Sequence, residues 1–187
     1  MSRRIGVFGI GLVCALVGAA GLSPRLTDAA TAAELNRSGS AVLTKLYTRV
    51  PKTKELAAAA KGVLVFPSIV KAGFMIGGLF GEGVLFKGGK PVAYYNTLAA
   101  SYGYQVGAQK YGYAMFLMND AAVKYLDKSD GWEIGTGPSV VVLDKGAAAG
   151  ISSTTARSDV YAFFFDQQGL MAGLGLQGTK ITRIHPK

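Results

Sequence analysis

Six cations near the front of the chain, Lys45, Arg49, Lys52, Lys54, Lys61 and Lys71, are of a type and spacing that could do chemistry: they could bind anionic oxygen. Lys45, Arg49 and Lys52 recur at intervals of four and three, so on a helix they form one stripe. Lysine and arginine heads on such a stripe reach phosphate, while their stems lie along apolar surface. Each cation near a charged leaflet contributes about 1 kcal/mol, less as salt rises. The plainer reading is a solvated face on a helix whose other side covers a sheet.

Residues suited to catalysis are sparse. His185 is the only histidine and stands beside the C-terminus without a partner for a metal or a proton shuttle. Asp127, Asp130 and Glu133 are the densest acidic group, in a turn-like setting near Ser129 and Gly131 that fits a solvated loop. Ser139 has no nucleophile elbow around it, and Gly73 to Gly83 lacks the lysine and serine or threonine that end a phosphate loop. The expectation is a non-enzymatic protein with no catalytic residue, metal or cofactor. Tyr102, Tyr104, Tyr111 and Tyr113 could stack on bases. They read more simply as residues alternating between core and surface, and Trp132 reads as a core cover rather than an interfacial anchor.

The N-terminus bears on partners as well. Arg3 and Arg4 precede 18 uncharged residues, Ile5 to Leu22, and small-residue sites follow. That is the layout of an export signal. Ala30-Thr31-Ala32 is the preferred cleavage site, with Ala19 to Gly21 second. The alternatives are lipidation at Cys14, an uncleaved anchor and a twin-arginine route. Val13 stands where a lipoprotein signal has a small residue, 18 residues just suffice to cross a bilayer core, and the continuation after Arg4 matches a twin-arginine signal only loosely. The domain is thus expected in the periplasm or outside the cell, associated with membrane, and nucleic acid is not an expected partner. Cys14 is the only cysteine, so a chain cut after Ala32 has no thiol chemistry.

Residues 33–187, about 155 of them, suit a single domain with a substantial core. The formal net charge of +9 is unevenly spread. From Ala33 to Lys71 seven cations, the six above and Arg37, face only Glu34 and Glu55, whereas ten cations and eight acids nearly balance from Ala72 onward. Leu35, Val42, Leu43, Leu46, Tyr47 and Val50 fall on one side of a helix. Pro51 breaks it and opens a second helix, expected over Lys52 to Lys61, with Gly62 as its end. The front at 33–61 is therefore helical.

The body, 62–187, reads as a mainly antiparallel sheet of short strands. They are expected at Val63–Phe66, Phe74–Leu79, Gly83–Lys87, Pro91–Tyr95, Ser101–Gln109, Tyr113–Met118, Ser139–Leu143, Val160–Asp166, Met171–Leu176 and Lys180–Ile184. Turns are expected at Gly88-Gly89 and Gln168-Gly169, and a short helix, Ala121 to Leu126, after Asn119-Asp120. Val140 to Leu143 and Val160 to Phe165 are apolar throughout, which predicts cover on both faces. The fold class is α+β, with N-terminal helices packed on a glycine-rich, strongly curved sheet or barrel-like sandwich. Gly73 and Gly77, Gly103 and Gly107, and Gly169 and Gly173 share a spacing of four. Glycines at this spacing relieve crowding where a bent sheet brings backbones together; the sharper alternative is a glycine-floored groove for a lipid tail.

Val65-Phe66-Pro67-Ser68, Lys71-Ala72-Gly73-Phe74, Gly77-Gly78 and Gly81-Glu82-Gly83-Val84-Leu85 together closely resemble the opening of the SYLF domain. Gly103 to Gln109 is similar to its central glycine and glutamine motif. Gly169-Leu170-Met171-Ala172-Gly173 with Gly178 is similar to its closing one. The resemblance covers roughly Lys61 to Ile184 and implies a lipid-binding module. Family members include eukaryotic proteins on phosphoinositide-rich membranes, fungal proteins associated with actin filaments, and exported bacterial proteins. Here an export signal stands where a free membrane-inserting helix would be.

These readings converge on an exported lipid-binding domain that meets anionic phospholipid membranes through Lys45, Arg49, Lys52, Lys54, Lys61 and Lys71. The alternative class is a structural or adhesive envelope protein that binds a protein or polymer partner.

Overall fold

The computed structural model describes residues 29–128, 131–143, 158–169 and 178–187. Its first helix, α1 (Ala32–Arg49), is fixed at its start by a capping box. The Thr31 hydroxyl accepts from the Glu34 N–H, and the Glu34 carboxylate accepts from the Thr31 N–H. Leu35, Gly39, Leu43 and Leu46 are buried at helical spacing, as the sequence pattern demands. The second helix, α2 (Lys52–Ala59), is two residues shorter than expected: Ala60 turns to an extended backbone, and Gly62 opens a strand instead of closing the helix.

Strands β1 (Gly62–Lys87) and β2 (Lys90–Leu117) form one antiparallel hairpin, in register from Gly62 against Leu117 to Lys87 against Lys90. Gly88 and Gly89 make the turn with φ of 56° and 77°, and positive φ at both positions gives the tight turn whose twist matches its strands. Each of these strands takes the place of three shorter ones expected from the sequence. The proline and glycine interruptions are bulges and bends rather than ends. Register slips between Phe66 and Ile69 around Pro67, which has no N–H to donate, and again between Phe74 and Ile76 and between Leu85 and Phe86.

The hairpin doubles back on itself. A Cβ added at Gly73 would lie 2.5 Å from the Gly77 Cα, one at Gly81 would lie 2.7 Å from the Ile69 side chain, and one at Gly83 would lie 2.4 Å from the Val65 carbonyl oxygen. The first arm of β1 therefore lies directly against its second arm, and no side chain fits between them at these points. In β2, Tyr113 donates to the Thr97 hydroxyl at 3.1 Å, and both side chains are fully buried. The bent-sheet account of the Gly73 and Gly77 spacing holds. Gly107 has φ of 141°, while residues 170–173 of the third glycine pair lie outside the described residues.

Asn119 caps α3 (Asp120–Leu126) by accepting from the Ala122 N–H. Strands β3 (Trp132–Glu133), β4 (Val140–Leu143), β5 (Val160–Gly169) and β6 (Lys180–Ile184) complete a six-stranded sheet among the described residues. Its order is β3-β6-β2-β5-β4, with β1 along the remaining edge of β2. The β4–β5 pair is parallel and the others antiparallel. The result is an α+β fold with a strongly curled half-barrel sheet. The expected strand at Met171–Leu176 lies outside the described residues. Gln168 and Gly169 do not turn but stay in β5, paired with Lys110 and Gln109.

Two apolar cores result. Leu64, Phe66, Tyr95, Tyr113, Met115 and Trp132 fill the concave side, closed by Ala122 and Leu126 of α3. On the convex side Leu35, Leu43, Leu46 and Leu56 of the helices press on Val65, Val84, Phe116 and Phe163. Burying each such side chain contributes roughly 1.5–3 kcal/mol. Val160 to Phe163 are buried, as their continuous apolarity implies, but Val141 and Val142 are exposed. Among the described residues β4 pairs with β5 alone, and the cover expected on both of its faces is not found at Val141 and Val142.

Gly83→Ala should destabilise the fold by about 2–3 kcal/mol, because the new methyl meets backbone that cannot give way. Gly89→Ala, with positive φ but open space, should cost about 1 kcal/mol. Urea denaturation of the two variants measures the contrast, and equal losses would overturn the fold-back account.

Candidate functional site

Because α1 turns its apolar side onto the sheet, its polar side faces outward and carries Lys45 and Arg49. Both reach one acid on β5. Lys45 Nζ donates to Asp166 Oδ2 at 2.6 Å, and Arg49 Nη1 donates to Oδ1 at 2.8 Å. The hydrogen bond from Lys45, reinforced by that from Arg49 and opposed by partial desolvation, holds the Asp166 carboxyl below its ordinary range. Asp166 sits in a bulge: it and Gln167 stand between Phe165, paired with Gly112, and Gln168, paired with Lys110. Its φ of 50° is the only positive value at a non-glycine among the described residues.

Lys45, Arg49 and Asp166 line a cleft of about 300 Å³ whose other walls are Val42 and Leu46 of α1, Val50 at its C-cap, and Phe164 and Phe165 of β5. Gly112 makes the wall possible. A Cβ there would lie 2.1 Å from the Phe165 ring, so only glycine lets that ring settle on β2.

The remaining front cations divide. Lys52 is ion-paired with Glu55 one turn on. Lys54 is exposed and borders a shallow surface hollow with Thr44, Tyr47 and Thr48. Lys61 is exposed just before β1. Lys71 lies ten residues further on, within β1 opposite Gln109, and is half-buried. The structure thus brings Lys45 and Arg49 together on one carboxylate, keeps Lys52, Lys54 and Lys61 in or beside α2, and places Lys71 within β1.

Other singled-out residues take structural places. Trp132 is fully buried, its indole N–H donating to the Thr136 carbonyl at 3.0 Å, so it is a core residue. Tyr111 and Tyr113 are both buried on the concave side rather than alternating with the surface, since residues two apart share a face. Burial pushes the Tyr111 phenol up to about 12. Asp127 accepts from Tyr95 at 3.1 Å and from Arg183 at 3.0 Å, a tie between strands. Ser139 and its N–H both donate to Asp159 Oδ2 at 2.8 Å, and Asn119 donates to Oδ1 at 2.6 Å. These bonds, the Ser139 N–H first, hold the Asp159 carboxyl below its usual range. His185 is exposed near the chain end. Among the described residues no group of three or more His, Cys, Asp or Glu could hold a metal ion.

Two features escaped sequence reasoning. Asp166 ends the apolar run Val160 to Phe165 and gives no signal of its partners across 121 and 117 residues. The other is an exposed apolar face on the hairpin, made of Val70, Ile76, Phe80 and Leu98. Phe80 and Leu98 are direct cross-strand partners, and the parity of Ile76 and Phe80 could have revealed it. Gln109, within the central glycine and glutamine motif, is 7% exposed, and its Oε1 has no hydrogen-bond partner among the described residues.

A curled sheet carrying helices, with open clefts and a charged front, defines an α+β domain. Residues 98–185 match the Ysc84 family model, described as Las17-binding protein actin regulator, and the SYLF resemblance is thereby supported over that stretch. No curated protein matches the chain.

The depressed Asp159 carboxyl contributes stability at pH above its ordinary value of 3.8, and this is lost as pH falls through its folded value. The wild type should therefore melt above Asp159→Asn at pH 6, and the gap should narrow steadily as pH falls below 3.8. Calorimetric melts from pH 6 downward test it; a gap that does not narrow below pH 3.8 would assign the effect to something other than the ionised carboxylate.

Proposed function

We propose that the chain is an exported, non-enzymatic lipid-binding domain that associates with anionic phospholipid membrane surfaces through its basic helical front. One observation carries this reading: α1 and α2 spend their apolar sides on the sheet and leave an outward face where cations outnumber acids. Such a face adheres to headgroups without inserting. The matched family's description as binding proteins agrees with a domain that binds rather than catalyses. In this reading the N-terminal leader directs export to the periplasm or beyond.

A second reading has its own observation. Val70, Ile76, Phe80 and Leu98 are each about half or more exposed, an apolar strand face suited to a protein or polymer partner of an envelope protein. The matched family is described by a protein partner, Las17, and by actin regulation.

Co-sedimentation of the full chain with neutral and anionic vesicles separates the two. The first reading expects extra binding to anionic vesicles that weakens from low to physiological salt. It also expects a loss of tenfold or more when Lys52, Lys54 and Lys61 are changed together to glutamine, at about 1 kcal/mol per cation. Equal binding to neutral and anionic vesicles, or an unaffected triple variant, would sink it and favour the second.

A further inference from the structure

The basic-front reading treats Lys45 and Arg49 as two charges among several, yet their geometry is more specific than that. They stand one helical turn apart and divide the two oxygens of a single anion between them. That anion and the two cations line a cleft whose other walls, Val42, Leu46, Val50, Phe164 and Phe165, are apolar. A cation pair above an apolar slot suits the charged oxygens and adjoining hydrocarbon of an amphiphile. The anion present is the chain's own Asp166, held in place by a left-handed backbone that non-glycine residues seldom adopt.

We propose that this cleft binds the phosphate group of an anionic lipid through Lys45 and Arg49, and that Asp166 is an internal stand-in for that phosphate, displaced when a headgroup arrives. The idea rests on the membrane reading above and gives it a site and a brake. Displacement is within reach. Lys45 and Arg49 are 47% and 57% exposed, and ion pairs at such exposure are individually weak. A leaflet presents phosphates at high local density, so the exchange favours the membrane once the domain is near it. The same chemistry would accept a soluble phosphate compound, which lacks only the tail for the apolar walls.

The test uses the full chain with vesicles of phosphatidylglycerol in phosphatidylcholine, and separately inorganic phosphate in solution. Asp166→Asn keeps the shape and tolerates the left-handed backbone but removes the charge; Asp166→Gly relieves the backbone as well. Both should bind the anionic vesicles roughly threefold to thirtyfold more tightly than wild type, the range expected from losing two weak internal pairs. The gain should vanish when Lys45→Gln and Arg49→Gln are added. Glu133→Gln makes the same change in net charge on β3, at the far edge of the sheet, and should leave affinity unchanged within about twofold. A gain toward inorganic phosphate but not toward vesicles would overturn the lipid as ligand and assign the site to a free phosphate. Unchanged or weaker binding of both Asp166 variants would overturn the internal stand-in even if wild type binds vesicles. If wild type and variants alike bind neither probe, the membrane reading falls with it.

Discussion

The near-contact of β1 with itself is the constraint on which the other contacts depend. Between Gly73 and Gly77, and again where Gly81 and Gly83 face Ile69 and Val65, backbone approaches backbone with no room for a side chain. That approach turns a long hairpin, which alone would expose both faces, into a curled sheet with a concave side deep enough to bury Trp132 and Tyr113. The Phe66 and Tyr113 rings, 4.8 Å apart, and the Tyr113 to Thr97 hydrogen bond then close the space. Its convex side is left as a broad apolar floor, and α1 can lie on it because Gly39 lets the helix sink onto Val84 and Phe86.

Electrostatics follow from this packing. A helix seated by its apolar stripe has no freedom in where its cations point, so Lys45 and Arg49 are presented at the seam with β5, where the Asp166 bulge meets them. Lys54 and Lys61, beyond the seam, form no ion pair among the described residues. A composition that shows one basic front thus becomes two populations: cations partly neutralised by internal acids, and cations open to solvent.

Periodicity and turn chemistry made the class of the fold legible. The helical stripe from Leu35 to Val50 and the Gly88-Gly89 turn carry their signals within a few residues, and the structure keeps them. What the sequence hid is non-local. Pro67 and the glycines of β1 look like strand ends, because a local pattern cannot separate a chain that stops from one that bends and carries on. The same blindness applies to the candidate site. Six cations were visible by type and spacing, but whether each had an acid facing it depended on contacts across the whole domain. Val141 and Val142 show the limit for burial: an unbroken apolar run does not by itself say what packs over each face of the strand.

Thr31 caps α1 and Ala32 opens its first turn, so in the exported reading proposed above the cleavage site at Ala30-Thr31-Ala32 would fall on folded structure. A peptidase threads its substrate as extended chain, so in that reading it would act only before α1 has formed or while it is open. Once the Glu34 carboxylate has closed on Thr31 and the Ala30 N–H donates to Glu82 at 2.9 Å, that stretch is held on the domain surface. In the exported reading, processing and folding would compete for the same few residues, and the speed with which α1 docks would govern which N-terminus the finished protein carries.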